Sequence, residues 1–470
     1  MGRPFIGIQI GAVSFVDEGV ANVLDEVQKR ASVNALLIAN HTFDRGTGGR
    51  QIPGHPFPDH GVQEYDYDFV GGAFNKINAQ FYTTTSIKEF RAPDHGEYDV
   101  FDDVLPEAKK RGMKVYAWIN ENPYAPIPRI VPNFPKVLEM DPYGRRVKTP
   151  CLNNPDYRHW LYSFIEDYIK SYPLDGIAWC SERQGPLGNL IGGGWNINSA
   201  TCFCPNCWER ALKLGLNPSR AVQGYKLLIE FFEESREGKR PNDGYFVTFW
   251  RLLLEYPEIL GWHRLWTDSL MEVYAEIFGI VKAINPEIQV GWHIMHLLSF
   301  SPFFRADQDY ARLRRFSDFI KVVTYHNCAG FRFQRFVETL CQTIFRDTTP
   351  ERLVPLLYDV LGYAGEARFD ELHLTGFSAD YIRRETERAI KGTGGSVAIY
   401  PGIDVDIPTP EGARKMTPED VKQGVIGAFR GGAHGIILSR KYSEMKLANL
   451  DGVNAALREL NIDPARKTAG

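Results

Sequence analysis

Short apolar runs rich in β-branched and aromatic residues recur along the chain at Phe5–Gly11, Ala35–Asn40, Lys114–Asn120, Gly176–Glu182, Ile288–Met295, Phe319–His326, Ser396–Pro401 and Gly435–Arg440. Such runs predict strands buried on both faces, as in a parallel sheet. Between them, apolar positions fall at helical spacing over Val16–Arg30, Asp99–Arg111, Asp156–Ser171, Gly261–Ile284, Tyr381–Lys391 and Pro418–Phe429. Eight strands alternating with helices predict an α/β chain closed into a (β/α)8 TIM barrel. Leu353–Val360 has the composition of a strand. Thr349-Pro350-Glu351 is a helix start, however, so Pro350–Leu361 is predicted as a helix in spite of Pro355.

Two connections are longer than an ordinary loop. Thr42–Pro93, rich in Gly, Pro, His and Asp, is expected to cover the face where strand 2 ends. The second insertion, Cys202 to about Leu260 after strand 4, carries three cysteines and two predicted helices, Tyr225–Glu234 and Tyr245–Leu254. Residues 1–470 read as one domain with insertions at about 42–93 and 202–260.

The formal charge of −4 and pI near 6.3 argue against a nucleic-acid or anionic-membrane partner. No apolar run approaches the roughly 18 residues of a membrane span, and strand 1 begins directly after Met-Gly-Arg-Pro. The expectation is a cytoplasmic protein, although a chain trimmed of a signal peptide would read the same. Whether copies assemble into a homo-oligomer is left open. Seven cysteines in 470 residues, three of them within six positions, do not form a disulfide framework and point to a metal site or reduced thiols.

Active sites of such barrels sit at the C-terminal strand ends. Here those ends are polar and aromatic, which suits a sugar whose CH faces stack on rings while its hydroxyls take hydrogen bonds. The candidate sugar-binding residues are His41, Trp118, Asn120, Glu121, Arg183, Trp292, His293, Tyr325, His326, Tyr400 and Arg440. Trp179 is a further possible stacking wall, and His296 reads as pocket lining. Cleaving a glycosidic bond needs a proton donor and an ionised carboxylate across the ring. Glu182, where an apolar run stops abruptly in an acid, is the candidate acid/base residue. Asp404 is the leading partner, with Asp406, Glu121 and Glu444 competing.

Cys202-x-Cys204-x-x-Cys207 spacing suits three ligands of one tetrahedral zinc. The fourth is Cys151 or Cys180, with Cys151 favoured because Cys180 falls inside a strand. Four such ligands leave no open position, so the expected zinc is structural; no organic cofactor is expected.

Gly144-Arg145-Arg146, Cys151-Leu152-Asn153-Asn154-Pro155-Asp156-Tyr157-Arg158, Glu182 and Cys202-Phe203-Cys204-Pro205-Asn206-Cys207 occur in an order that resembles family 42 β-galactosidases. The resemblance implies Cys151, Cys202, Cys204 and Cys207 as zinc ligands and Glu182 as acid/base. Most of the chain, including Leu438-Ser439-Arg440-Lys441-Tyr442-Ser443-Glu444-Met445, is similar to hypothetical glycoside-hydrolase-like barrel proteins of bacteria. Ser181 replaces the family 42 Asn, and no Glu stands at the tip of strand 7. The expected function is therefore a glycoside hydrolase on a small carbohydrate. The alternatives are a metal-dependent sugar isomerase or epimerase, using His293, His326 and Glu182, or a non-catalytic carbohydrate-binding barrel.

Overall fold

The period of two in a strand sends alternate side chains to opposite faces, and here it separates two apolar clusters. Ala35, Leu37, Ala39, Tyr116, Trp118, Ala178, Cys180, Phe319, Tyr400 and Ile437 pack on one another inside the sheet. Their neighbours Leu36, Ile38, Ile177, Trp179, Trp292 and Ile320 pack outward with the helices. The computed structural model describes residues 4–120, 127, 131–192 and 200–463.

The strands are β1 (Phe5–Gly11), β2 (Ala35–Thr42), β3 (Lys114–Asn120), β4 (Gly176–Cys180), β5 (Gln289–Ile294), β6 (Phe319–Val322), β7 in two pieces (Ala398–Ile399 and Gly402–Asp404) and β8 (Gly435–Ser439). These nine parallel segments pair in the order β6-β5-β4-β3-β2-β1-β8. The first piece of β7 lies on β6 and the second on β8. Across the break, Tyr400 N–H donates to the Ile320 carbonyl (3.0 Å) and Ile437 N–H to the Pro401 carbonyl (3.0 Å). The sheet thus curls back on itself through β7. Its interior is filled by alternating large and absent side chains. A Cβ at Gly291 would meet the Phe319 ring at 2.2 Å, and one at Gly176 the Tyr116 ring at 2.4 Å.

Helices start where the sequence offers caps: Asp99 before Val100–Lys110, Asn154 before Pro155–Ser171, and a Thr417/Asp420 capping box before Pro418–Arg430. Pro350–Leu361 is a helix, although the Thr349 side chain makes no capping bond. The helix expected over Val16–Arg30 is instead two, Ala12–Glu18 and Val20–Ala31, parted at Gly19 with φ +80°. β6 is shorter than expected, because a helix, His326–Cys341, begins where the strand was predicted to end. β7 runs three residues further, to Asp404.

The segment after β2 is fastened to the β8 side of the rim. Lys441 Nζ donates to the carbonyls of Gly49 (2.7 Å) and Arg50 (3.0 Å). His60 bridges Glu18 and the Met445 carbonyl. Between β3 and β4 an antiparallel hairpin, Leu138–Met140 with Arg146–Pro150, was not foreseen. The second insertion contains helices Pro205–Lys213, Pro218–Arg236 and Tyr245–Glu255 before Glu258–Ile284. Among the described residues no helix is long and apolar enough to cross a membrane.

Candidate active site

Inward parity brings Gln9 of β1, Trp118 of β3, Cys180 of β4, His293 of β5 and Lys321 of β6 together, with Glu182 two residues beyond Cys180. The His293 imidazole Nε2 lies 3.1 Å from Glu182 Oε1. Lys321 Nζ reaches His293 Nδ1 (3.3 Å), Gln9 Oε1 (2.6 Å) and the Tyr325 hydroxyl (2.7 Å). An ammonium can only donate. Lys321 therefore makes Nδ1 the acceptor and leaves the proton on Nε2, from where it is donated to Glu182. Trp118 lies nearly parallel to the His293 ring, centroids 6.1 Å apart, and Lys321 Nζ sits 5.7 Å from the Trp118 ring centre.

The electrostatics follow from that chain. Burial alone would raise the Glu182 pKa, but the His293 hydrogen bond and the charges of His293, Arg332 and Lys321 hold it below the ordinary range. Burial, then the charge of Lys321, pulls His293 down to about 4. Burial brings Lys321 itself down to about 7. Near neutral pH, Glu182 is a carboxylate held by a neutral imidazole and a lysine close to losing its proton. Beside this group Gln9 Nε2, Trp118 Nε1 and Asn120 Oδ1 are buried with no partner among the described residues, as in a site whose polar atoms are completed from outside.

Several expected sugar-binding residues lie elsewhere, and strand parity explains most of them. Trp292, next to inward His293, points outward onto Tyr274 (4.5 Å) and donates to the Phe316 carbonyl; Trp179 likewise packs on Tyr274. His41 is stacked on Phe164 (4.8 Å) under the helices, and burial lowers its pKa to about 3. His326, as the first residue of its helix, packs toward Gly424 and is brought to about 4 by burial. Tyr400 stacks on Phe5 at 4.2 Å, beside Phe319, at the N-terminal floor of the barrel. His296 is buried on Tyr381 and Arg332.

Arg183, adjacent to Glu182, borders the same small recess but is committed to other partners. It pairs with buried Glu139 at 2.7 Å and donates to the Pro150 carbonyl. Glu139 also accepts from Thr149, Thr201 and Trp266. Asn120 donates to Thr47 of the cover segment (3.1 Å). Arg440 makes a bidentate pair with Glu444 (2.9 and 3.0 Å) and is close enough to Asp44 and Glu182 for their charges to raise its pKa. Glu121 lies outside the described residues.

Of the carboxylates considered and described, Glu182 keeps 18% of its side-chain surface exposed, whereas Glu444 and Asp404 have none. Asp404 Oδ1 accepts from Ile407 N–H and Oδ2 from Cys328 N–H, yet burial raises its pKa to about 6. Asp406, bound by Lys446 N–H and Asn449, is pushed up to about 7 by burial. Lys321 and Arg332 were not foreseen. A lone lysine in Phe319-Ile320-Lys321-Val322, with the inward parity of Phe319, was the available signal for the first.

Cys151, Cys202, Cys204 and Cys207 converge in a second centre, with sulfurs within 4.8 Å of one another. Cys151 Sγ lies 3.4 Å from Cys204 Sγ and 3.5 Å from Cys207 Sγ. These separations far exceed a disulfide bond of about 2.05 Å. They approach the roughly 3.8 Å edge of a tetrahedron with zinc–sulfur bonds of about 2.3 Å. Backbone N–H groups of Met140, Asn153 and Cys204 and the Asn153 side chain point at the sulfurs. Cys180, the alternative fourth ligand, lies instead with Glu182 and His293. The four cysteines form a buried cluster able to bind a metal ion.

No protein-family model and no curated protein sequence matches the chain. Among solved structures it is similar to the glycoside hydrolase domain of PgaB (BpsB) from Bordetella bronchiseptica, with 11% identity over 99% of each chain and a TM-score of 0.55. A β-galactosidase from Halorubrum lacusprofundi matches at 13% identity and TM-score 0.54, over 98% of this chain and 58% of that one. An α-L-fucosidase isoenzyme 2 from Paenibacillus thiaminolyticus matches at 12% and 0.50, over 98% of this chain and 49% of that one. This chain thus spans about half the length of the last two. Its fold is the barrel of glycoside hydrolases.

Proposed function

We propose that the chain is a glycoside hydrolase acting on a small saccharide, with Glu182 as its acid/base residue and Asp404 as the partner carboxylate. The observation that carries this is the placement of Glu182: at the tip of β4, on the inner face, partly exposed and held ionised by its hydrogen bond with His293 and the nearby charges of Arg332 and Lys321. From that state Glu182 begins as a base, taking a proton from the attacking water. Asp404, which keeps its proton to about pH 6, is the donor of the pair. This direction of proton flow corresponds to inversion at the anomeric carbon. Trp118 offers a ring face, and the buried polar atoms of Gln9 and Asn120 offer partners for hydroxyls.

The test is turnover of a broad panel of aryl glycosides, with product anomers followed by NMR and rates by pH. The expected kcat/KM profile is bell-shaped: the acid limb, from Glu182, below the ordinary carboxylate range, and the alkaline limb, from Asp404, near pH 6. Sugar binding with no turnover across the panel would leave the non-catalytic reading instead.

The isomerase alternative has one observation in its favour, since Cys180, Glu182 and His293 present ligand atoms within 4.8 Å of one another. The Lys321 ammonium on His293 Nδ1 and the charge of Arg332 oppose a divalent cation there. Turnover surviving exhaustive chelation excludes it. For the four-cysteine cluster we propose structural zinc, which the donor set and sulfur spacing support. Cys151 anchors the chain before helix Pro155–Ser171, and the other three ligands anchor the insertion after β4. The zinc would pin the two together.

A further inference from the structure

Beside Glu182, on the side of β5 to β7, lies a cavity of about 610 Å³. Met295 borders both it and the small recess that holds Glu182, so the two spaces are neighbours. Two features of its wall bear on what it takes. Phe300, Phe331 and Phe336 with Pro408 and Pro410 give apolar faces. Arg332 and Arg335 give positive charge, and among the described residues that line it there is no Asp or Glu.

The arginines are three residues apart on helix His326–Cys341 and so lie on one side of it. Arg332 contacts His296 (3.1 Å) and sits over Tyr325, and its charge reaches Glu182 and Asp404 at the strand tips. Arg335 is exposed, its guanidinium 5.6 Å from the Phe331 ring centre, and among the described residues no carboxylate pairs with it. Its fork of donors is available to a planar anion.

We infer that this cavity binds the carboxylate of a uronic-acid residue, so that the saccharide presented to Glu182 is an acidic one. The inference rests on the glycosidase reading and deepens it. Ring CH faces lie against the phenylalanines, and the C6 carboxylate meets Arg335 with Arg332 behind it. A neutral hexose would leave the exposed Arg335 guanidinium unanswered.

The experiment measures binding by calorimetry of galacturonate and glucuronate trisaccharides, each beside its fully methyl-esterified form, with galactose 6-phosphate as a further arm. At least one free acid is expected to bind, its ester at least about tenfold more weakly, as expected for loss of a charge-assisted contact. Affinity should fall with salt. Arg335→Gln should bring the acid down to the level of the ester, and Arg335→Glu should abolish binding, while both variants keep the wild-type melting temperature. Equal binding of acid and ester, no binding of either acid, or unchanged binding in Arg335→Gln overturns the inference, as does Arg335-dependent capture of the sugar phosphate alone. Glu182-dependent cleavage of neutral glycosides without acid binding would sink this inference and leave the hydrolase reading. Arg335-dependent acid binding with no cleavage of any glycoside would do the reverse.

Discussion

Residues 182 and 183 are neighbours in the chain and line one small recess, yet they join two differently built networks. Arg183 enters a closed network in which Glu139 accepts from Thr149, Thr201, Trp266 and Arg183 itself, close to the four-cysteine cluster whose sulfurs receive amide hydrogens. Glu182 enters an open one, where a lysine drawn down to about 7, a neutral histidine and several orphaned polar atoms surround a partly exposed carboxylate. Burial is severe in both. In the first, every charge has an answering group within the protein, as stability requires. In the second, burial moves the titration of His293 and Lys321 well below their values in water, which marks chemistry rather than support.

That contrast can be broken most forcefully at the cysteines. If they hold zinc, stripping the ion or changing Cys204→Ser should remove a large part of the folding free energy, for which structural zinc contributes on the order of 10 kcal/mol. Native mass spectrometry should show one zinc per chain, and chelation should lower the melting temperature sharply. A smaller effect is expected from Arg183→Met, which leaves Glu139 charged and buried. Loss of one partner from such a pair costs about 3–5 kcal/mol, read as a fall in denaturation midpoint with pH-dependence of rate unchanged. The smallest is at the open site. His293→Phe removes the hydrogen bond that holds Glu182 ionised, so the Glu182 pKa should rise and the acid limb of kcat/KM should move to higher pH. With charged hydrogen bonds worth about 1.5–3 kcal/mol, the shift is about one to two pH units.

The cysteine cluster and the barrel were the more legible parts. Cysteine spacing and apolar runs are local signals, and six of the strands begin at the residues where the runs begin. The open site was read less well because strand tips were taken as wholes. Once Glu182 is inward, Trp179 must be outward, and His293 inward makes Trp292 outward; the alternation was in the sequence and was not applied. Tyr400 fell to the barrel floor because β7 continues to Asp404 past Pro401, which reads as a stop. His326 was displaced by a helix whose start carries no capping side chain to announce it. The role of Glu139 could not be read at all. It depends on a hairpin between β3 and β4 meeting Trp266 and Thr201, contacts set only by the folded chain.

The direct test is the rate of Glu182→Gln beside wild type on whichever aryl glycoside or uronide wild type cleaves fastest, with circular dichroism and bound zinc measured on the same samples. The account predicts a fall in kcat of about 100-fold or more, in the range of positioned acid–base groups, with fold, metal content and sugar affinity retained. Turnover within a few-fold of wild type in a correctly folded Glu182→Gln protein would contradict it.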